Sequence, residues 1–207
     1  MLSKIDSKKL GAVLIVILFI FSAILSNVYK EQLQGIVGEH HLVGGFIYIV
    51  LVVISAVIAP INALPLLPVV SVLWGPVNAA LLSIVGWTLG SIVIYWLLKK
   101  YGRPFVGRFV NLKEYEEKQL HIPEKNKFWI LVGLRMIIPV DVLSYILGIF
   151  VPMSWKLYIS TTIIGITPFA FILAYSSILP IMYQVIAGII GVIILIFGVV
   201  SIRKFYK

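Results

Sequence analysis

From Leu42 to Leu98 the chain carries no charged residue, a run of 57 positions. No other feature restricts the fold so strongly. A water-soluble domain cannot hide that much apolar chain, whereas a bilayer accepts it. The rest of the sequence agrees: of 207 residues, 61% are hydrophobic and only 12% charged. The chain is read as an all-α polytopic membrane protein with one membrane domain.

Charge parity gives the topology. Lys4, Lys8 and Lys9 hold the N-terminus on the cytoplasmic side, and an apolar run from Leu10 to about Val28 follows. That run is long for the core of a signal peptide and suits an uncleaved first helix. Lys99, Lys100, Arg103 and Arg108 mark the next cytoplasmic stretch. The 57 residues before them must therefore cross an odd number of times, and three crossings would be cramped. One crossing plus a hairpin that enters and leaves on the outer side fits better. Pro60, Pro65 and Pro68 supply the break, since proline removes a backbone donor. The reading is a re-entrant hairpin from Leu42 to about Trp74, then a span from Pro76 to Leu98.

The second half begins inside, near Lys127, and ends inside, at Arg203, Lys204 and Lys207. It needs an even number of crossings. Ile159–Ser177 and Ile181–Ile202 supply two, separated by Pro180. Phe128–Val151, broken at Pro139, is then a second hairpin, entering from the inner side. By this count 15 of the 17 basic residues lie inside; Lys30 and Arg135 are the exceptions. The units are an N-terminal helix and external loop (1–41), a first repeat (42–98), a cytoplasmic segment (99–127), a second repeat (128–178) and a last helix with a basic tail (179–207). Residues 101–127 suit an amphipathic segment at the interface or a solvated linker.

Each half thus pairs a proline-broken hairpin with a glycine-bearing span, and the two hairpins enter from opposite faces. That is the pattern of an inverted-topology repeat, with about four transmembrane helices in all and a binding site expected near the midplane. Gly86 and Gly90, in "GWTLG", allow close helix approach, and Gly165 marks the second span. Trp74, Trp129 and Trp155 stand near the hairpin mouths as interfacial anchors.

"LRMIIPVDVLSY", residues 134–145, holds Arg135, Pro139 and Asp141 in a hydrophobic stretch. A charge at that depth costs about 2.5–3.5 kcal/mol on insertion scales, so a return is expected. One return is structural: an ion pair folded together at Pro139. The other is functional: Arg135 grips an anionic group such as a phosphate, and Asp141 carries a proton. Both can hold together. Asn62 is the polar counterpart in the first hairpin, capping a broken helix end or touching a head group. Ser144 and Tyr145 could add hydrogen bonds.

"LPLLPVVSVLWGPVNAALLSIVGWTLGSIVIYWLLKKYGRPFVGRF" followed by "LRMIIPVDVLSYILGIFVPMSWKLYISTTIIGITP" resembles the DedA superfamily, also called the SNARE-associated Golgi protein or VTT-domain family. The match is nearer its Golgi-vesicle-protein branch and covers about residues 60–178. Its motif positions fall here on Pro65, Pro68, Gly75, Gly86, Gly90, Tyr101-Gly102, Arg135, Pro139, Asp141, Tyr145, Gly148, Gly165 and Pro168. The resemblance implies two opposed re-entrant hairpins and translocation of phospholipid or polyprenyl phosphate. Two departures stand out. The arginine-to-acid spacing is shorter than the usual family form, with one proline where two are common, and the first hairpin lacks the glutamate of the DedA branch, Asn62 being its nearest polar group. This counts against a two-carboxylate proton mechanism and leaves the substrate open.

The expected function is lipid translocation by a flippase or scramblase, with proton coupling through Asp141. A small-solute or ion secondary transporter and a non-transporting scaffold are the rivals. The expected partners are anionic phospholipid or polyprenyl phosphate, with an oligomer possible and no nucleic acid. The expected location is a prokaryotic plasma membrane, with both termini cytoplasmic. With no cysteine and no clustered nucleophile and base, neither an enzyme, a cofactor nor a metal is expected.

Overall fold

The computed structural model describes residues 7–37, 41–58, 63–102 and 123–180, together with 182, 183 and 186. Among these, every regular element is helical. In chain order they are α1 (Ser7–Val28), α2 (Lys30–Val37), α3 (His41–Val57), a 3-10 turn (Leu64–Leu66) running into α4 (Leu67–Trp74), α5 (Pro76–Tyr101), α6 (Lys127–Ile137), α7 (Val140–Phe150) and α8 (Trp155–Ser176). Two of them, α5 and α8, are long and apolar enough to cross a membrane. Pro60 and Asn62, most of the expected cytoplasmic segment and nearly all of the expected last span lie outside the described residues.

Proline and glycine place the breaks. Gly75 takes φ 82°, a left-handed value open to a residue without Cβ, and Pro76 then starts α5. Gly102, at φ 62°, ends α5 with its N–H on Leu98 O. Between α6 and α7 the chain runs extended through Ile138 (φ −99°, ψ 134°) and Pro139 (φ −49°, ψ 135°). Pro139 has no N–H to continue the α6 ladder, so the helix stops and a new one begins.

The long helices α5 and α8 pack on each other, and the broken pairs wrap them. On α5, a Cβ added at Gly86 would lie 2.7 Å from Val52 Cγ1, and one at Gly90 would lie 2.6 Å from Ala56 Cβ. Glycine there lets the α3 backbone ride close to α5. Tyr48 and Ser83 share a hydroxyl hydrogen bond of 2.8 Å in the same interface. On α8, a Cβ at Gly165 would run into Cβ of Arg135 and lie 3.1 Å from Val132 O, so α6 rides equally close. α7 lies along α5, with Ser144 beside Ser91 and Gly148 against Leu98 Cδ1.

These contacts fix the direction of each broken pair. Lys127 opens α6 and its Nζ donates to Pro152 O at 3.0 Å, just past the end of α7. The two arms of α6–α7 therefore meet at their open ends. That end lies beside Tyr95, whose hydroxyl donates to Met153 O at 2.7 Å, and so toward the Lys99 end of α5. At the other end of α5, Gly45, early in α3, faces Leu82, and α4 leads through Gly75 into the first turn. The inner parts of the pairs touch where Tyr145 OH donates to Val57 O at 2.7 Å. α1 and α2 brace α4 and the end of α8 through Ser22 to Pro65 O (2.6 Å), Gln34 to Val72 O (3.2 Å) and Asn27 to Ser177 O (3.1 Å).

The exterior is apolar. Phe21, Phe46, Leu51 and Ile172 all stand open. A water-exposed surface of this kind would aggregate, whereas hydrocarbon accepts it.

Candidate functional site

The site grows from one helical stripe. On α6 the buried residues are Lys127, Leu131, Val132 and Arg135, which share a face at helical spacing. The arginine therefore points where the apolar residues point, into the protein, and it is 2% exposed. Its stem presses on Gly165, where any larger residue would collide with it.

Three neighbours hold the guanidinium. Nη1 donates to Ser144 Oγ at 2.8 Å and reaches Val140 O at 3.4 Å. The guanidinium carbon lies 4.9 Å from the centre of the Tyr158 ring. Ser144 Oγ also bonds Val140 O at 2.6 Å and lies 3.1 Å from Ser91 Oγ, while Tyr158 OH donates to Ser91 O at 3.0 Å. Tyr158 in turn stacks on Tyr95 (centroids 4.3 Å apart), and Lys99 Nζ sits 4.9 Å from the Tyr95 ring. Stacked rings leave only their outer faces free, so a column runs Arg135, Tyr158, Tyr95, Lys99 toward the basic end of α5.

The rest of the arginine has no partner. Nε and Nη2 are buried and make no hydrogen bond, and neither does Asp141 Oδ1. Each such buried group costs about 1–3 kcal/mol. The expected structural ion pair is not formed: no salt bridge joins Arg135 to Asp141. The extended Ile138–Pro139 link is the reason. It presents Val140 and Ser144, one turn apart on α7, to the guanidinium, while Asp141 lies about 100° further round that helix. Asp141 sits instead in the first turn of α7, where the helix end favours a negative group.

The other expected residues fall as follows. Pro139 forms the break beside the arginine, and Tyr145 is buried and bonded to Val57 O. Gly86, Gly90, Gly148 and Gly165 all lie at close helix contacts. Pro65 accepts the Ser22 hydroxyl, and Pro68 is buried in the first turn of α4. Pro60 and Asn62 lie outside the described residues.

Sequence reasoning missed Ser91, Tyr158 and Tyr95. A signal existed on α5: Thr88, Ser91 and Tyr95 recur at steps of three and four on an apolar helix, and all are buried. Thr88 Oγ1 is a further buried atom with no partner.

No curated protein and no solved structure matches the chain. The VTT domain model matches residues 59–179, which is more than half of the sequence and includes both arms of the arginine site. The chain belongs to the VTT domain family, the group of the DedA and SNARE-associated Golgi proteins.

Proposed function

We propose that this protein moves lipids with phosphate head groups across the membrane, passing the head group through the meeting place of the two broken helix pairs. The observation that carries this is Arg135: a buried cation whose Nε and Nη2 have no protein partner. A guanidinium offering two parallel donors suits an oxyanion. Asp141, also partnerless at Oδ1, is the group that would exchange a proton during passage.

Arm length supports a re-entrant reading. α6 and α7 have 11 residues each, so each rises about 16 Å, roughly half the hydrocarbon core. Their open ends meet near Lys127, and α3 begins beside Leu82, toward the opposite end of α5. The sequence spacing supports an inverted repeat. Pro60 and Pro139, Asn62 and Asp141, Ser83 and Thr162, and Gly86 and Gly165 are each 79 residues apart. Opposed repeats of this kind place substrate at their interface.

A lipid substrate is favoured over a small solute by the surface beside the arginine. Met136 is 50% and Ile137 82% exposed, and Pro139 is exposed as well. These residues line the outer face of α6 and the break after it, where an acyl chain left in the bilayer would run.

The test is translocation of a fluorescent phospholipid or polyprenyl phosphate in proteoliposomes. Arg135→Ala abolishes it while the protein still folds. Asp141→Asn, which cannot exchange a proton, abolishes it as well. Wild-type rates in both variants would overturn the assignment.

A further inference from the structure

The geometry points to Tyr158 and Ser144 as positioning residues that decide what Arg135 can bind, by fixing the guanidinium so that only its Nε–Nη2 edge is offered. This rests on the phosphate-lipid reading above and extends it to specificity. Nothing in the VTT domain match assigns a role to either residue.

A guanidinium has two edges that can make paired hydrogen bonds. One carries both Nη atoms, and the other carries Nε and the Nη on its side. Ser144 occupies Nη1 at 2.8 Å, which removes the first edge from use. Nε and Nη2, the whole of the second edge, stay free. The Tyr158 ring covers one face of the plane at 4.9 Å and stops it tilting. Gly165 pins the stem against α8. Each restraint is itself held: Ser144 bonds Val140 O and meets Ser91, and Tyr158 OH bonds Ser91 O.

A plane fixed in this way accepts a ligand from one direction, with two oxygens on a single centre. A phosphate presents that pair, whereas a sugar hydroxyl or a lone carbonyl engages one donor and leaves the other buried and unmet, which is penalised. Preorganisation of this kind acts on binding, because the ordering has been done before the ligand arrives. Loss of either clamp should therefore raise the lipid concentration needed for half-maximal rate and leave the maximal rate largely intact.

The experiment uses the full chain in proteoliposomes with fluorescent phosphatidylglycerol over a range of mole fractions. Fluorescent glucosylceramide, which has no phosphate, serves as the second probe. Ser144→Ala and Tyr158→Leu are expected to raise the half-saturating mole fraction of phosphatidylglycerol about tenfold. The ratio of phosphatidylglycerol to glucosylceramide rates falls with them. Tyr158→Phe keeps the ring over the guanidinium and stays within about twofold of wild type. If Tyr158→Leu does not fold, Ser144→Ala decides alone. Wild-type half-saturation in Ser144→Ala and Tyr158→Leu, with Arg135→Ala inactive, overturns this inference and leaves the phosphate-lipid reading standing. Losses in Ser144→Ala, Tyr158→Leu and Tyr158→Phe alike that track melting temperature also overturn it, because they mark a purely structural role. Wild-type rates in Arg135→Ala overturn this inference, and wild-type rates in Asp141→Asn as well overturn the phosphate-lipid reading with it.

Discussion

Ala56 and Arg135 stand 79 residues apart and make similar contacts one helical turn out of register, since Gly165 matches Gly86 and not Gly90 at that spacing. Each puts its Cβ against a glycine of a long helix, Ala56 on Gly90 and Arg135 on Gly165. Each is buried, at 1% and 2% exposure. The first half shows that a methyl group is enough to close this helix contact. Beyond Cβ, Arg135 packs its stem on Gly165 and its guanidinium on Tyr158, and it still leaves two donors unmet. The surroundings differ to match. Ser144 and Tyr158 hold the guanidinium, and 79 residues before them stand Pro65 and Ala79, which offer neither a hydroxyl nor an aromatic ring. Both contacts set a buried side chain against a glycine of a long helix, and one of those side chains carries a charge held by Ser144 and Tyr158.

The strongest way to break this comparison is to make the second half like the first. Arg135→Ala is expected to cut lipid translocation at least about 100-fold. Thermal melting in detergent should stay level or rise, because removing an incompletely paired buried charge is neutral or stabilising. A large drop in melting temperature would show that the arginine serves the fold.

The converse change comes next. Ala56→Arg puts a guanidinium where no socket exists, and it should destabilise the protein by about 3 kcal/mol, the cost of an unsupported charge at membrane depth. Denaturation in mixed micelles measures it. A tolerated arginine at 56 would mean that the lipid or water around the first pair supplies partners, and the contrast between halves would weaken.

Adding bulk to the shared frame should matter somewhat less and equally in both halves. Gly90→Val and Gly165→Val each force Cβ atoms into the facing helix, and each should cost about 1–3 kcal/mol. Melting curves of the pair check the equality. Gly165→Val should lower transport as well, since it displaces the stem of Arg135.

The smallest expected effect is at the contact between the pairs. Tyr145→Phe removes the donor to Val57 O and should cost about 1 kcal/mol by the same melting assay, with transport close to wild type. A transport loss far beyond that would make the contact a working joint.

Much of this frame could be read from the chain. Pro139 stops α6 because it lacks a donor, a purely local fact, and the break falls where sequence places it. The residues of "GWTLG" promise a close helix approach, and α3 makes it. Of the socket of Arg135, only Ser144 was legible, as a hydrogen-bonding neighbour. Ser91, Ser144 and Tyr158 come from three helices, 53 and 67 positions apart across the two bonds that join them, and no local spacing encodes such a meeting. The ion pair with Asp141 looked plausible on proximity in sequence. Two extended residues at the break turned a different face of α7 toward the guanidinium.

The column of rings behind Arg135 bears on how readily the arginine can let go. Its positive charge is met by the π-face of Tyr158 and by neutral oxygens, with no carboxylate salt-bridged to it. If a phosphate binds there, as proposed, it has no salt bridge to break before it meets the free Nε and Nη2. On the proposed function, exchange at such a centre would be limited by rehydration of the ligand and not by breaking an ion pair.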